Sequence, residues 1–278
     1  MNHKLRILVE KELVEASRNR LIFGFGIIFF GLSLAMSIFS VISPGATDIQ
    51  VSRVGVSMLN LATLLVPLIS LIISSQGFAA EFEDGTMDLM LTQPLHLRQI
   101  CLGRILGEWL AVAAALLIGY GASGAVLMLL SSGHQVLPFI INVIISLALS
   151  LVFITLGTLI SIKAKNRMVA LFGALALWFL MIILYDLIVV QILMLTTGTT
   201  TMALLYGILI LNPADLLRIL AIRLTQMKEL FGPSQEAMSA LPGFHGPVLA
   251  LLGWAVWIIA IYFWTIRSLR KRVYSRIL

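Results

Sequence analysis

The sequence predicts an all-α protein that crosses a membrane six times. Hydrophobic residues make up 60% of its 278 residues and charged residues only 12%, about half of the charged fraction of a soluble domain. The mean hydropathy is +1.04, and several apolar runs approach the ~20 residues that a helix needs to cross a bilayer. Runs of that length exclude a β-barrel, whose strands alternate in short segments.

An amphipathic helix is predicted before the first span. Apolar residues recur there with the period of a helix, at Leu5, Leu8, Val9, Leu13 and Ala16. We expect residues 1–20 to contain a helix that lies on the membrane surface. The alternative is that this stretch serves only as a charged flank that orients the first span. The charged start of the chain does not favour a cleavable signal peptide.

The six spans follow from the apolar runs between charged and turn-forming stretches. We expect them at residues 21–42, 57–78, 105–130, 139–162, 168–191 and 247–266. The net charge of +6 is typical of a membrane protein whose basic loops face the cytoplasm and its anionic lipid, and it does not indicate a nucleic-acid partner. With both termini in the cytoplasm, the outer loops hold only four of the 19 basic residues, namely Arg53, Arg218, Arg223 and Lys228. This topology predicts a single membrane domain over residues 1–278 in a prokaryotic cytoplasmic membrane.

Two spans carry polar residues that need an explanation. In the second span, polar side chains recur at helical spacing on one face, at Asn60, Thr63, Ser70 and Ser74. That face either bonds neighbouring helices together or lines a substrate path. Asp186 lies within the fifth span, where a carboxylate needs a partner, a proton or the far interface. Its role is either structural or part of transport.

A polar segment, residues 79–104, separates the second and third spans. It carries four acids within eight residues, Glu81, Glu83, Asp84 and Asp88. Asp84 or Thr86 can cap a short helix there, and Pro94 ends that helix because the residue before a proline avoids the α region. Three apolar residues share one face at helical spacing, Met87, Met90 and Leu91.

The longest region without a predicted span covers residues 192–245, which we expect on the external side. Its apolar run 202–211 is too short to cross a membrane. The following residues, Asn212-Pro213-Ala214-Asp215, form a turn and helix cap. They open an amphipathic helix at residues 216–227, which contains Arg218.

Several kinds of site are absent from the sequence. None of the six lysines follows a glycine, so no phosphate-binding loop of the Walker type exists and ATP must be bound by another protein. The lone Cys101 excludes an internal disulfide and a site of paired cysteines, and we expect no bound metal or cofactor. Catalysis is not expected either, because Glu108, Asp186 and residues 212–215 are predicted at different depths.

The order of motifs in the polar segment resembles the type-2 (export-type) ABC transporter permeases. The matching residues are Glu83-Asp84-Gly85-Thr86, then Pro94, Arg98 and Gly103-Arg104-Ile105-Leu106-Gly107. The resemblance implies that residues 81–94 dock on a cytoplasmic ATPase. Glu83, Asp84 and Thr86 would then hold the short helix, and Met87, Met90 and Leu91 would form the docking face.

Within that superfamily, the chain resembles the permeases that assist maturation of nitrous oxide reductase. The features are the run at 65–69, Tyr185-Asp186-Leu187, and residues 211–215 followed by Arg218. The resemblance implies a homodimer that pairs with two copies of an ATPase and with a periplasmic partner. It also implies export of a sulfur species for a copper–sulfur site.

Other functions remain open at this point. The chain could be a membrane anchor or assembly factor that moves no solute, or an exporter of an unrelated substrate. A secondary transporter is disfavoured, because it predicts inverted repeats and paired intramembrane charges. The sequence leaves open the substrate, the direction of transport and whether residues 192–245 bind a partner.

Overall fold

A computed structural model of the chain describes residues 3–42, 48–130, 136–195, 211–225 and 245–277. Its elements are α1 (His3–Ser17), α2 (Arg20–Ile42), α3 (Asp48–Asp84), α4 (Thr86–Leu91), α5 (Leu97–Leu130), α6 (Val136–Lys163), α7 (Arg167–Trp178), a π-helical segment (Phe179–Leu184), α8 (Tyr185–Leu195), α9 (Pro213–Thr225) and α10 (His245–Ile277). Across these ranges every element is helical, which confirms the all-α prediction.

Six stretches of the described residues are long and apolar enough to cross a membrane, and the predicted number of spans is confirmed. They are Arg20–Phe39, Gly55–Asp84, Leu97–Ala125, Phe139–Lys163, Arg167–Ile192 and Ala250–Ser275. The helices extend further than predicted, because hydropathy marks only the part that lies in hydrocarbon. Backbone hydrogen bonds continue through the polar ends, so α3 reaches Asp84 and α10 reaches Ile277.

Small residues bring the central helices close together. A Cβ atom on Gly157 of α6 would lie 3.0 Å from the Leu71 carbonyl oxygen of α3 and would overlap the Ser74 hydroxyl. A Cβ atom on Gly119 of α5 would lie 2.5 Å from the Phe29 ring of α2. In membranes, helix association depends on such close backbone approach. These positions therefore hold α3 against α6 and α2 against α5.

Both terminal helices lie at the same end of the bundle. The helix α1 packs on the first turns of α5, burying Leu8 and Val9 and leaving Ile7 and Val14 about half exposed. At the other terminus, the Arg272 guanidinium of α10 donates to the Ala164 carbonyl at 2.7 Å, just beyond α6. The amphipathic character of α1 is confirmed, whereas its place at the membrane surface stays a prediction.

Three stretches leave broad apolar faces uncovered in the single chain. Only 28% of the apolar window of α2, 17% of that in residues 167–192 and 22% of that in α10 is buried. The corresponding windows of α3, α5 and α6 are 56–67% buried. The bundle thus has a packed centre, formed by α3, α5 and α6, and outer faces that lipid or a second protein must cover.

Much of the predicted external region falls outside the described residues. This applies to residues 196–210, which include most of the short apolar run, and to residues 226–244. The helix predicted at 216–227 is observed as α9, which begins three residues earlier at Pro213. Asn212 caps it, because its Oδ1 accepts from the Ala214 amide at 3.0 Å and Pro213 occupies the first helical position.

Candidate functional site

The polar segment between α3 and α5 folds as a sharp turn and one short helix. The chain leaves α3 at Asp84 and turns at Gly85, whose φ of 75° lies in the left-handed region that only glycine adopts easily. Gly85 then occupies the N-cap position of α4, with no side-chain hydrogen bond to the cap. The expectation that Asp84 or Thr86 caps this helix is therefore wrong, since Asp84 still belongs to α3 and Thr86 already belongs to α4.

The two acids before Gly85 hold the turn between α6 and α7 instead. The Glu83 carboxylate accepts from the Arg167 backbone amide at 2.9 Å, and the Asp84 carboxylate pairs with the Arg167 guanidinium. All three side chains are about half exposed. No role of its own was predicted for Arg167 from the sequence. Its contacts instead tie the end of α3, and hence α4, to the start of α7.

The apolar face expected to dock on a partner points largely into the protein. Met87 is fully buried, and Met90 and Leu91 pack partly buried against the core. A six-residue helix must anchor itself by its apolar side, and the wider bundle supplies the surface. The docking face predicted at Met87 is therefore corrected. Leu89 is 70% exposed on the opposite side. Other exposed residues of this outer face are Thr86, Asp88, Thr92, Gln93 and Pro94, and Arg98 is exposed at the start of α5.

Beneath α4 lies a buried group of charges that we call the Arg104 cluster, made of Arg104, Glu12, Glu81 and Glu108. The Arg104 side chain is only 5% exposed. Its Nη2 donates to Glu81 Oε1 at 2.6 Å, and its Nε donates to Glu12 Oε2 at 3.2 Å. Glu108, one turn further along α5, has its Oε1 4.0 Å from the Arg104 Nε. The cluster thus joins α1, α3 and α5 through one guanidinium.

Two glycines of α5 make this cluster possible. A Cβ atom on Gly103 would lie 2.7 Å from the Leu8 Cβ, and one on Gly107 would overlap the Glu12 Cβ. Because glycine has no Cβ atom at these two positions, α1 can approach α5 until Glu12 reaches Arg104. Sequence reasoning singled out Gly103–Gly107, but it missed Glu12 and considered Glu108 only as a catalytic candidate that it set aside. The available signal was that Glu12 lies four residues from both Leu8 and Ala16, on the buried face of α1.

The predicted polar stripe of α3 divides between two roles. Thr63, Ser70 and Ser74 are buried. Thr63 and Ser74 donate to carbonyls of their own helix, at 2.8 and 2.6 Å, and Ser74 packs against Gly157 of α6. Ser74 thus makes a helix-packing contact, and the same role for Thr63 and Ser70 stays a prediction. Asn60 is exposed and lines a separate cavity.

A second group of charges lies on α8 and α9 and is named the Asp186 cluster, made of Asp186, Asp215, Arg218 and Asn212. The Arg218 Nη1 donates to both oxygens of Asp186, at 3.1 and 3.2 Å, and to Asp215 Oδ1 at 3.3 Å. The Asn212 amide donates to Asp215 Oδ2 at 2.9 Å and to the Met181 carbonyl of the π-helical segment at 2.8 Å.

The Asp186 cluster corrects the prediction that Asp186 and residues 212–215 lie at different depths. The start of α9 packs beside the π-helical segment, so that Asn212 is 1% and Asp215 3% exposed. Arg218 is thus the partner that Asp186 requires. A cavity of about 450 Å³ opens beside it, between Asn60 and Leu64 of α3, Ile182 of the π-helical segment and Asp186.

The arrangement of six spans, a polar turn with a short helix and a second short helix before the last span can be compared with known families. A profile described as "ABC-2 family transporter protein" matches residues 6–271. The chain belongs to this ABC-2 family. The match covers nearly the whole chain, so the family resemblance expected from residues 83–107 is confirmed.

Two relatives specify which component of an ABC transporter this ABC-2 protein is. A "Probable ABC transporter permease protein NosY" from Pseudomonas aeruginosa is 34% identical over 77% of this chain and 79% of its own length. A protein of the same name from Stutzerimonas stutzeri is 31% identical over 89% of this chain and 90% of its own length. A third relative, a "Heme exporter protein B" from Rhodobacter capsulatus, is 30% identical over only 41% of this chain and 50% of its own length. The ABC-2 chain is therefore an ABC transporter permease subunit in a membrane, and such subunits are not themselves enzymes.

The Asp186 cluster makes the stability of this ABC-2 permease depend on pH. Burial raises the pKa of the Asp215 carboxyl to about 7, with the Arg218 cation lowering it and the Asp186 carboxylate raising it. The usual value is 3.8, so the folded protein binds this proton more tightly than the unfolded chain. Its stabilising contribution is full below about pH 4 and is lost as the pH rises through about 7.

We expect the substitution Asp215→Asn to remove this pH dependence. Between about pH 5 and pH 7 the unfolding free energy of the wild type should fall by up to about 1.4 kcal/mol per pH unit more than that of the variant. Equilibrium unfolding at several pH values checks this difference. Leu89→Met, at an exposed position of α4, changes no ionisable group, so it is the control and should keep the wild-type slope. Equal slopes for Asp215→Asn and the wild type would contradict the expectation.

Proposed function

We propose that this ABC-2 permease forms a homodimer in a prokaryotic cytoplasmic membrane and exports a substrate with energy from two copies of a separate ATPase. The proposal is supported by its membership of the permease family and by a sequence that lacks a Walker loop. Binding and hydrolysis of ATP are then tasks of the partner chains. The permease converts their movement into rearrangement of its helices.

The observation that carries the proposal is the exposed leucine of α4. Leu89 is 70% exposed at a polar end of the bundle, whereas the helix that carries it is anchored from inside by the fully buried Met87. The Asp84–Arg167 pair holds the end of α3, two residues before α4 begins. An exposed apolar side chain on a short, anchored helix is typical of a docking contact. The proposed ATPase contact is therefore the outer face of α4.

The shared location of the two terminal helices supports the proposed orientation. Both α1 and the end of α10 lie at the end of the bundle that carries α4. This end also holds the basic residues of α1, the turn at Lys163–Arg167 and the basic tail of α10. The positive-inside rule then puts α4 and both termini in the cytoplasm, where an ATPase can reach them.

The uncovered apolar faces support the second copy. The windows of α2, residues 167–192 and α10 are the least buried spans among those described. Dimerisation covers part of this surface and membrane lipid covers the rest. On this arrangement the cavity beside Asn60 and Asp186 opens on a weakly covered side of the bundle. We assign it to the substrate path, together with Arg218.

The substrate class rests on the resemblance to the permeases that assist maturation of nitrous oxide reductase. It implies a sulfur species, delivered to a periplasmic partner for assembly of a copper–sulfur site. The two relatives named NosY support this choice, since they match most of the chain. A periplasmic partner would contact the external region, residues 192–245.

We expect the substitution Leu89→Glu to abolish coupling while leaving the permease folded. A buried anchor replaced by a charge weakens a protein contact by about 2 kcal/mol or more. The amount of ATPase that co-purifies, and ATP-dependent transport in vesicles, should therefore fall at least about tenfold. Leu89→Met is the matched control and should retain both. Unchanged melting temperatures for both variants confirm that the permease itself is intact.

Two outcomes of this experiment would contradict the proposal. Full ATPase co-purification by Leu89→Glu would show that the outer face of α4 is not the contact. Function of the wild type without ATP in vesicles would favour a membrane anchor that moves no solute. Charge reversal at Glu83 and Asp84 is a further variant, and it should weaken coupling by releasing Arg167 and displacing α4.

A further inference from the structure

A pocket of about 530 Å³ lies between α1 and α4, above the Arg104 cluster. Lys11 and Glu15 of α1 and Thr86 and Met90 of α4 line it, while Arg104 of α5 lies deeper. The pocket is thus bordered by the helix proposed to contact the ATPase. We call it the Arg104 pocket.

The Arg104 pocket carries an excess of negative charge. Its lining includes five carboxylates, Glu12, Glu15, Glu81, Asp84 and Glu108, but only two cations, Lys11 and Arg104. Asp84 is neutralised from outside the pocket by Arg167. The remaining four acids share two basic groups, because Lys11 contacts Glu12, Glu15 and Glu81 at 3.4–4.0 Å and Arg104 contacts Glu12, Glu81 and Glu108 at 2.6–4.0 Å. Apart from Asp84, the lining therefore contains two more carboxyl groups than basic groups.

A second, independent feature of the Arg104 pocket shows unfilled binding capacity. The Glu108 side chain is only 6% exposed, yet its Oε2 has no hydrogen-bond partner within the described part of the chain. The same holds for Glu81 Oε2. Buried carboxylate oxygens are normally satisfied, because leaving them without a donor costs free energy. Both carboxylates line the pocket.

We propose that the Arg104 pocket receives a basic side chain, a lysine ammonium or an arginine guanidinium, from the ATPase that docks on α4. The inference rests on the proposed function and names the chemistry of the contact. A positively charged donor supplies both missing components, namely a charge to offset the excess acids and hydrogen bonds for Glu81 and Glu108. Charge-assisted hydrogen bonds of this kind are stronger than hydrogen bonds between neutral groups.

A protein side chain suits the Arg104 pocket better than a metal ion does. In the ranges that the structure describes, no three histidine, cysteine, aspartate or glutamate residues are arranged to hold a metal. The pocket is bordered by Glu15 of α1 and Thr86 of α4, which places it beside Leu89. An ATPase that covers Leu89 can therefore insert a neighbouring basic residue.

The first test uses the isolated permease in lipid nanodiscs and methylguanidinium chloride as the probe. We expect a saturable rise in melting temperature that sodium chloride at equal ionic strength does not produce. Glu15→Gln, at the exposed edge, and Glu108→Gln, in the interior, should each raise the apparent Kd at least about fivefold. Glu10→Gln, an exposed glutamate of α1 outside the pocket, should not change it. No saturable shift in the wild type would overturn the inference.

The second test uses the complex with the ATPase that co-purifies with the wild-type permease. Glu15→Arg introduces a cation at the pocket, and it should weaken ATPase binding about tenfold or more and reduce the salt dependence of binding. Glu10→Arg makes the same charge change outside the pocket and is the control. Equal affinities for the two variants would overturn the inference while leaving docking on Leu89 intact. Loss of binding in Leu89→Glu alone would still support the proposed function, so the two ideas fail separately.

Discussion

The substitution Arg104→Met is expected to destabilise the folded permease by about 3–5 kcal/mol. It removes the cation that faces Glu12, Glu81 and Glu108 and leaves three carboxylates around a buried position. Breaking a buried ion pair from one side is far more harmful than replacing all of its members, because an uncompensated charge remains away from water. The free energy of unfolding in lipid bicelles measures the effect.

Two further variants make this expectation specific to charge. Arg104→Lys retains the charge but lacks the planar guanidinium that reaches Glu12 and Glu81 together. Its free energy of unfolding should therefore lie between those of the wild type and Arg104→Met. Neutralising Glu12, Glu81 and Glu108 to glutamine in the Arg104→Met background should recover most of the lost stability. Arg98→Met changes an exposed arginine of α5, and its free energy of unfolding should lie within about 0.5 kcal/mol of the wild-type value. A wild-type stability for Arg104→Met would show that the buried cluster contributes nothing.

The substitution Gly157→Ala is expected to cost about 1–3 kcal/mol by forcing α3 and α6 apart. The added methyl group would lie 3.0 Å from the Leu71 carbonyl oxygen and 3.1 Å from the Ser74 Cβ, and it would overlap the Ser74 hydroxyl. Because a backbone atom is among these neighbours, no change of rotamer relieves the overlap fully. The unfolding free energy in bicelles again measures the loss.

Gly121→Ala is the matched control for the α3–α6 contact. Gly121 also lies within a spanning helix, but no atom lies within 4 Å of a Cβ placed there. Its replacement should be neutral or slightly stabilising, since alanine favours a helix by about 0.5–1 kcal/mol over glycine. Adding Ser74→Gly to Gly157→Ala should recover part of the loss, because the Leu71 carbonyl remains. Equal stability of the two alanine variants would contradict close packing at Gly157.

The fold was largely predictable because its main determinant is local. Each span is a run of apolar residues long enough to cross the hydrocarbon core of a membrane. A helix is the only single segment that makes all of its backbone hydrogen bonds internally there. The amphipathic α1 and the Asn212 cap of α9 were predictable for the same reason. The ends of the helices were not, because polar residues such as Glu83 and Lys163 continue a helix without a hydropathy signal.

The candidate docking segment shows where local reasoning fails. Helical spacing correctly grouped Met87, Met90 and Leu91 on one face of α4. The spacing did not predict whether that face is buried or exposed, and the structure shows Met87 fully buried and Leu89 exposed. For a short helix at the end of a bundle, the apolar face anchors the helix. Leu89, the exposed residue between those apolar positions, is the one for which we propose a contact with a partner.

Acting alone, the sequence determined the class of this protein, namely a six-span permease with a polar turn and no nucleotide loop, because hydropathy and motif order depend only on nearby residues. The tertiary structure decided which charges meet. Glu12 and Arg104 are 92 residues apart in the chain, and Asp186 and Arg218 are 32 apart. Such pairs form only where glycine steps and a packed helix end bring backbones together, and single residues in one sequence do not encode that distance. For Glu12 and Arg104, burial then makes the contact matter, because away from water a charge needs its partner.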